Sequence, residues 1–203
     1  AGIGASFAGD ATYLSSNGSG SLSVGQATAA ISVTPYSVTY DSAAHTATGT
    51  ATGIGGVNLA ANLNLVGTTH TSSGNYLTDP WSFHDPLGNY ADAGGTVHDV
   101  ILQATPSLSW NTPADITYGM ALGSAQLNAT SVQSGTFTYT PAAGTVLSAG
   151  NGQTLTVFFT PTDLVDFTTT STTVQINVLK ATPLVVWKDP ADITYGTALG
   201  NAQ

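Results

Sequence analysis

Apolar and polar residues alternate along most of this chain, and the alternation breaks every few residues at Gly, Pro, Asn or Asp. Leu155, Val157 and Phe159 fall on one face of a strand while Thr154, Thr156 and Thr160 take the other, and Val174, Ile176 and Val178 oppose Thr173, Gln175 and Asn177 in the same way. These two strands are expected to line a core. Upstream, a period of two predicts further strands at 30–35, 37–40, 45–51, 59–66, 76–83 and 96–102. The turns between them are supplied by 53–56, 73–75, Asp79-Pro80, 85–89 and Gly94-Gly95, residues that tolerate positive φ or preset φ. No stripe of period 3.6 occurs. Six or seven short strands without helices predict an all-β chain of antiparallel β-sandwiches.

The pattern also recurs at long range. Thr112-Pro113-Ala114-Asp115-Ile116-Thr117-Tyr118-Gly119 returns as Asp189-Pro190-Ala191-Asp192-Ile193-Thr194-Tyr195-Gly196, 77 positions later. Trp110 and Trp187 share that step, as do Tyr13, Tyr90 and Phe167, and Gln26, Gln103 and Lys180. The chain therefore divides into the closing strands of one domain (1–26), two complete copies (27–103 and 104–183) and the opening strands of another (184–203). In 1–26 the strands are expected near 3–8 and 19–25. No linker separates the copies: the strand at 173–179 runs through Lys180-Ala181-Thr182-Pro183 into 184–187, and Gln103-Ala104-Thr105-Pro106 does the same one step earlier. A short, proline-restricted junction predicts sandwiches stacked as a rod, each adding about 35–45 Å.

Charge narrows the possible partners. Lys180 and Lys188 are the only cations, every acid is Asp, and the net charge is −9. Nucleic acid and anionic lipid are bound mainly through Lys and Arg, so neither fits this chain. A hydrophobic content of 41% in regular alternation favours folded β-structure over disorder. Cysteine is absent, so disulfides and thiolate chemistry play no part. No apolar run reaches membrane-spanning length.

Three stretches, Phe7-Ala8-Gly9-Asp10-Ala11-Thr12-Tyr13, Thr117-Tyr118-Gly119-Met120-Ala121-Leu122 and the run from Gly135 through Thr140-Pro141 to Leu147, resemble the bacterial immunoglobulin-like repeats of very long surface and secreted proteins. The copy at 27–103, with Val38-Thr39-Tyr40-Asp41, the Thr/Ala-rich run from Ala44 to Gly53 and Gly88-Asn89-Tyr90, is similar to the MBG/YDG-type repeat of the same arrays. The resemblance covers nearly the whole chain. It implies tandem immunoglobulin-like domains, an extracellular or cell-surface setting in a bacterium, a structural or adhesive role, and no catalytic residues.

Candidate chemistry is sparse. His70, His84 and His98 are spaced by 14 residues, and His45 precedes them, but none has the short spacings of zinc sites. Strand-edge histidines are the expected reading, and protonation near pH 6 would be the consequence of any clustering. Asp163 with Asp166, or Asp189 with Asp192, offer oxygen ligands for calcium; without Glu to add a bidentate ligand, solvated turn carboxylates are the expectation, and no cofactor is assigned. Asp99 falls one period before Ile176, a core position, and a bulge turning it outward is the expected resolution. The same step places Trp81 opposite Phe158. Trp81, Trp110 and Trp187 could stack on sugar faces if exposed, or pack cores and junctions. The aromatic at Tyr13, Tyr90 and Phe167 is expected to plug the end of each domain by packing, since Phe167 lacks the hydroxyl. No nucleophile elbow or carboxylate pair in a cleft points to an enzyme. The expected role is therefore a stalk, spacer or filament backbone of a surface fibre or adhesin, contacting neighbouring domains of its own polypeptide and other copies in a fibre. The alternatives are a glycan- or protein-binding adhesive module and a filament subunit completed by strand exchange.

Overall fold

A computed structural model describes residues 2–201 and is all-β, interrupted only by three short 3-10 turns. It divides into two compact units: Ala1–Thr105 with Asp163–Thr168, and Pro106–Thr162 with Thr169–Gln203. Unit 1 therefore includes a turn that the repeat assigns to the second sequence copy.

Unit 1 contains β1 (Gly2–Phe7), β2 (Ser16–Ser21), β3 (Ala30–Thr34), β4 (Ser37–Thr39), β5 (Thr48–Thr52), β6 (Leu63–Asn64), β7 (Gly74–Phe83) and β8 (Ala93–Leu102). β1 and β2 form an antiparallel hairpin from Gly2↔Ser21 to Phe7↔Ser16, with every residue exposed. β2 starts earlier than its apolar residues suggest, because the Asp10 turn sets the register. A four-stranded sheet runs β4-β8-β7-β6, and β3 pairs with β5. Between them, Ala29, Ala51 and Phe83 are buried, with Ile31, Leu59, Leu63 and Tyr90 packed against them. The strand expected at 59–66 shrinks to β6 flanked by 3-10 turns. Asn58 and Asn64 are the reason: their side-chain oxygens accept the N–H groups of Ala60 (2.9 Å) and Val66 (3.0 Å), bonds that compete with a ladder.

Unit 2 contains β9 (Leu108–Ser109), β10 (Ile116–Thr117), β11 (Thr130–Ser131), β12 (Gly135–Thr140), β13 (Gly150–Pro161) and β14 (Thr170–Leu179). Its main sheet runs β10-β14-β13-β12, and β9 pairs with β11. Leu155, Val157 and Phe159 are all 0% exposed, and Ile176 and Val178 are buried with Ile116, Leu122, Leu127 and Leu147. The alternation in β13 and β14 thus translates directly into the core. From 184 onwards the described residues are exposed and form no strand.

The structure corrects the sequence reading in three places. The sheets are not purely antiparallel: β4 pairs in parallel with β8, and β10 with β14. Trp81 does not match Phe158. Opposite β8, Tyr76 pairs with Asp99 and Asp79 with Val97, so Leu77 and Thr78 together oppose His98. In unit 2, Gln153 pairs with Ile176 and Leu155 with Val174. One extra residue in β7 therefore brings Asp79 to the register position of Leu155, Trp81 to that of Val157, and Phe83 to that of Phe159. The third correction concerns Asp99. The bulge lies on the partner strand, and Asp99 remains 0% exposed, facing inward as Ile176 does.

Candidate functional site

The recurring turn before each repeated aromatic is built by one aspartate. Asp10 Oδ1 accepts the N–H groups of Thr12 and Tyr13 at 2.7 and 2.8 Å. Asp163 Oδ1 accepts those of Val165 and Asp166 at 2.9 and 3.1 Å. Asp85 accepts three, from Leu87, Asn89 and Tyr90. Burial pushes the Asp85 carboxyl up, but these three donors outweigh it and hold it below the ordinary aspartate value. Carboxylates used in this way tighten a turn that glycine and asparagine alone would leave loose.

Two of the three repeated aromatics then bridge back to an earlier stretch of the chain, whereas Tyr13 is 68% exposed and does not plug a domain end as expected. Tyr90 bridges in parallel to Ala27, and Phe167 to Ala104, one period on. Ala27 donates to Asn89 O and accepts from Ala91 N, while Ala104 donates to Asp166 O and accepts from Thr168 N. Tyr90 does more than pack. Its hydroxyl accepts the Ile54 N–H at 3.0 Å, and Gly53 passes so close that a Cβ there would lie 2.2 Å from that oxygen. The purely packing role expected from Phe167 therefore does not extend to Tyr90. Tyr90→Phe is expected to destabilise unit 1 by about 1 kcal/mol in chemical denaturation, by stranding the Ile54 N–H; no change would show that water replaces the hydroxyl.

The turn at 163–168 is tied into unit 1 by side chains that the sequence reading left unassigned. Asp166 is buried, and its Oδ1 accepts the Ser73 N–H at 2.5 Å, while the Ser73 hydroxyl donates to Val165 O. Gln103 Nε2 donates to Leu164 O at 2.7 Å and Val165 O at 3.0 Å. The Phe167 ring meets Tyr40 edge-on, with centroids 5.3 Å apart. The signal for Gln103 was the recurrence of glutamine at 26 and 103: Gln26 Nε2 donates to Gly88 O, the counterpart of Val165. Ser73 carries no such signal, because Ser is too common for one position to stand out.

A second constellation lies inside unit 1. His70 Nε2 sits 2.8 Å from Asp79 Oδ2, and its ring stacks on Tyr76 with centroids 3.5 Å apart. Asp99 Oδ1 accepts the Tyr36 N–H at 2.9 Å, whereas Asp99 Oδ2 has no hydrogen-bond partner among the described residues. Burial raises the Asp99 carboxyl above its ordinary value, and the neighbouring Asp79 adds to the rise. Burial, with the charges of Asp99 and Asp79, pushes the Tyr36 hydroxyl up to about 12. The Tyr36 hydroxyl donates to Thr68 O at 3.3 Å, and Thr68 is fully buried.

The remaining candidates are dispersed. His45 pairs with Asp41 and His84 with Asp92, while His98 meets Asn75. His45 and His70 form an isolated backbone bridge. The calcium candidates Asp163 and Asp166 accept backbone N–H groups, and Asp189 and Asp192 are exposed. Among the described residues no group of three or more His, Asp or Glu side chains is gathered for a metal ion. Trp110 packs on the unit 2 core, edge-on to Tyr139, and donates to Gln126 O. Trp81 lies half-buried over Gly95 and lines a shallow cleft with Asn64, Gly67, Pro80 and Ser82. Trp187 is 76% exposed. No described helix is long and apolar enough to cross a membrane. Comparison with protein-family models, with curated proteins and with solved structures returned no match.

Proposed function

We propose that this chain is a stalk or spacer segment of an extracellular, cell-surface repeat protein, in which immunoglobulin-like sandwiches joined by short junctions supply length and stiffness. The observation that carries this reading is the turn at 163–168. Sequence periodicity assigns it to the second copy, yet Ser73, Gln103 and Tyr40 hold it in unit 1. The chain consequently passes between the units three times, at 105/106, 162/163 and 168/169. The aromatic bridge and the glutamine contact recur at one period, each time beside an Asp turn, as expected where the copies repeat one plan. The resemblance to bacterial immunoglobulin-like repeats supports the surface setting.

The test is length. A chain carrying one further copy of 104–180 is expected to gain about 35–45 Å in maximum dimension by small-angle X-ray scattering. A gain well below that means the copies fold back, and the spacer reading fails. In the alternative, strand exchange, 184–203 pairs with another copy of the chain. A concentration-dependent dimer in light scattering, abolished by removing 184–203, is the outcome that separates it. Of the three tryptophans, Trp187 alone is largely open to a sugar face, which makes a glycan-binding stripe the weaker alternative.

A further inference from the structure

Unit 2 packs Leu155 and Ile176 at the centre of its main sheet, and unit 1 places Asp79 and Asp99 at the same two register positions. Both carboxyls are withdrawn from water: Asp99 is 0% exposed and Asp79 8%. Two buried carboxylates side by side cannot both ionise cheaply, because each loses hydration and repels the other. The hydrogen bonds around them leave one fully buried oxygen without a donor. Asp79 Oδ2 is occupied by His70 Nε2, and Asp99 Oδ1 by the Tyr36 N–H. Asp99 Oδ2 is the oxygen without a donor.

We propose that Asp79 and Asp99 form a proton-holding pair, with one proton on Asp99 Oδ2 shared towards Asp79, so that unit 1 becomes more stable as the medium is acidified from neutral pH. The titratable groups facing the pair are Tyr36, His70 and Tyr76. Phenols carry no charge from neutral pH into acid. His70 is the only cation-forming group, and it satisfies one oxygen of Asp79, leaving the opposite carboxyl to take the proton. The direction at Asp99, raised by burial and by Asp79, agrees with the geometry. Its sign follows from linkage: a folded-state value above the unfolded one gives stability that is complete below the unfolded value and lost as pH rises through the folded one. Asp85 acts oppositely, since its lowered value gives stability that is lost only as pH falls through that value. Unit 1 therefore strengthens on mild acidification and weakens only in stronger acid. Unit 2, with Leu155 and Ile176 in place of the pair, lacks this response.

The test is a carboxyl 13C titration of the whole chain, with hydrogen exchange of β7 and β8 followed at pH 7.5 and pH 5. Asp99 is expected to titrate above the ordinary aspartate value of 3.8. Each unit of that rise adds up to about tenfold to the folded-to-unfolded ratio of unit 1 in acid. Asp99→Asn keeps the shape, supplies a donor without a charge, and leaves the His70–Asp79 pair intact. It is expected to raise β7 and β8 protection at pH 7.5 and to remove most of the gain between the two pH values. An Asp99 midpoint at or below 3.8 overturns the proposal. So does an Asn variant with undiminished pH dependence, which would assign the effect to His70. The titration uses the unaltered protein, so the Asp99 midpoint decides the matter even where the variant does not fold.

Discussion

Phe159→Ala is expected to cost unit 2 about 3–5 kcal/mol, the range for truncating a fully buried aromatic. Phe159 is 0% exposed, and its ring lies 4.7 Å from that of Phe137 at a 39° tilt. Gly135 packs beneath it so closely that a Cβ there would come within 2.5 Å of the Phe159 ring. Neighbours fixed on β12 and β14 cannot collapse into the hole, so most of the cavity cost remains. A domain of this size has only about 5–15 kcal/mol in total, so the loss is a large fraction of its stability. Native-state hydrogen exchange reads it out: amides of β12, β13 and β14 lose protection by this amount, while those of β7 and β8 keep theirs. A loss under about 1 kcal/mol would show that the site repacks, contrary to the tight glycine contact.

Asp166→Ala is expected to have the next largest effect, and a more local one. It removes the acceptor for the Ser73 N–H, a bond to a charged group inside a half-buried turn, for a cost of about 1.5–3 kcal/mol. Ser73 Oγ and Gln103 Nε2 still reach the backbone oxygens of Val165 and Leu164, so the turn loosens without unfolding unit 1. Amide exchange at Ser73 and across 163–168 is expected to accelerate by at least about tenfold, the equivalent of about 1.4 kcal/mol, with the β13–β14 ladder unchanged. Unchanged exchange at Ser73 would mean that this hydrogen bond does not hold the turn.

Much of the architecture was legible in side-chain alternation. Leu155, Val157 and Phe159 are buried as their spacing requires, and the β1–β2 hairpin was readable from its flanking turn. What failed was the assumption that the period of 77 holds within each strand. The extra residue at Leu77-Thr78 shifts the rest of β7, and unit 2 places its own irregularity elsewhere, between Gly150 and Gln153, where Gly152 takes a φ of +66°. A bulge leaves no mark in composition, because its signature is a change of partner register rather than a residue type. Asp99 was misplaced for the same reason. An isolated buried carboxylate is costly, and only the fold reveals that Asp79 and the Tyr36 N–H are beside it.

The contacts of the turn at 163–168 were partly visible. Tyr13, Tyr90, Phe167, Gln26 and Gln103 announced themselves by recurrence, but recurrence does not say what a residue touches. Asp163 and Asp166, expected as turn carboxylates with calcium as the weaker reading, accept backbone N–H groups. Asp10 and Asp85 make the same kind of bond in earlier copies, which marks a recurring turn device.

The stiffness proposed between the two units is best measured by placing a spin label on each. The chain has no cysteine, so exposed Val66 in unit 1 and Val132 in unit 2 can be changed to cysteine and labelled without competition. Double electron–electron resonance is expected to give a single narrow distance distribution that broadens in the Asp166→Ala background. A broad or multi-modal distribution in the otherwise unaltered chain would show that the units swing freely and would contradict the proposed stalk function.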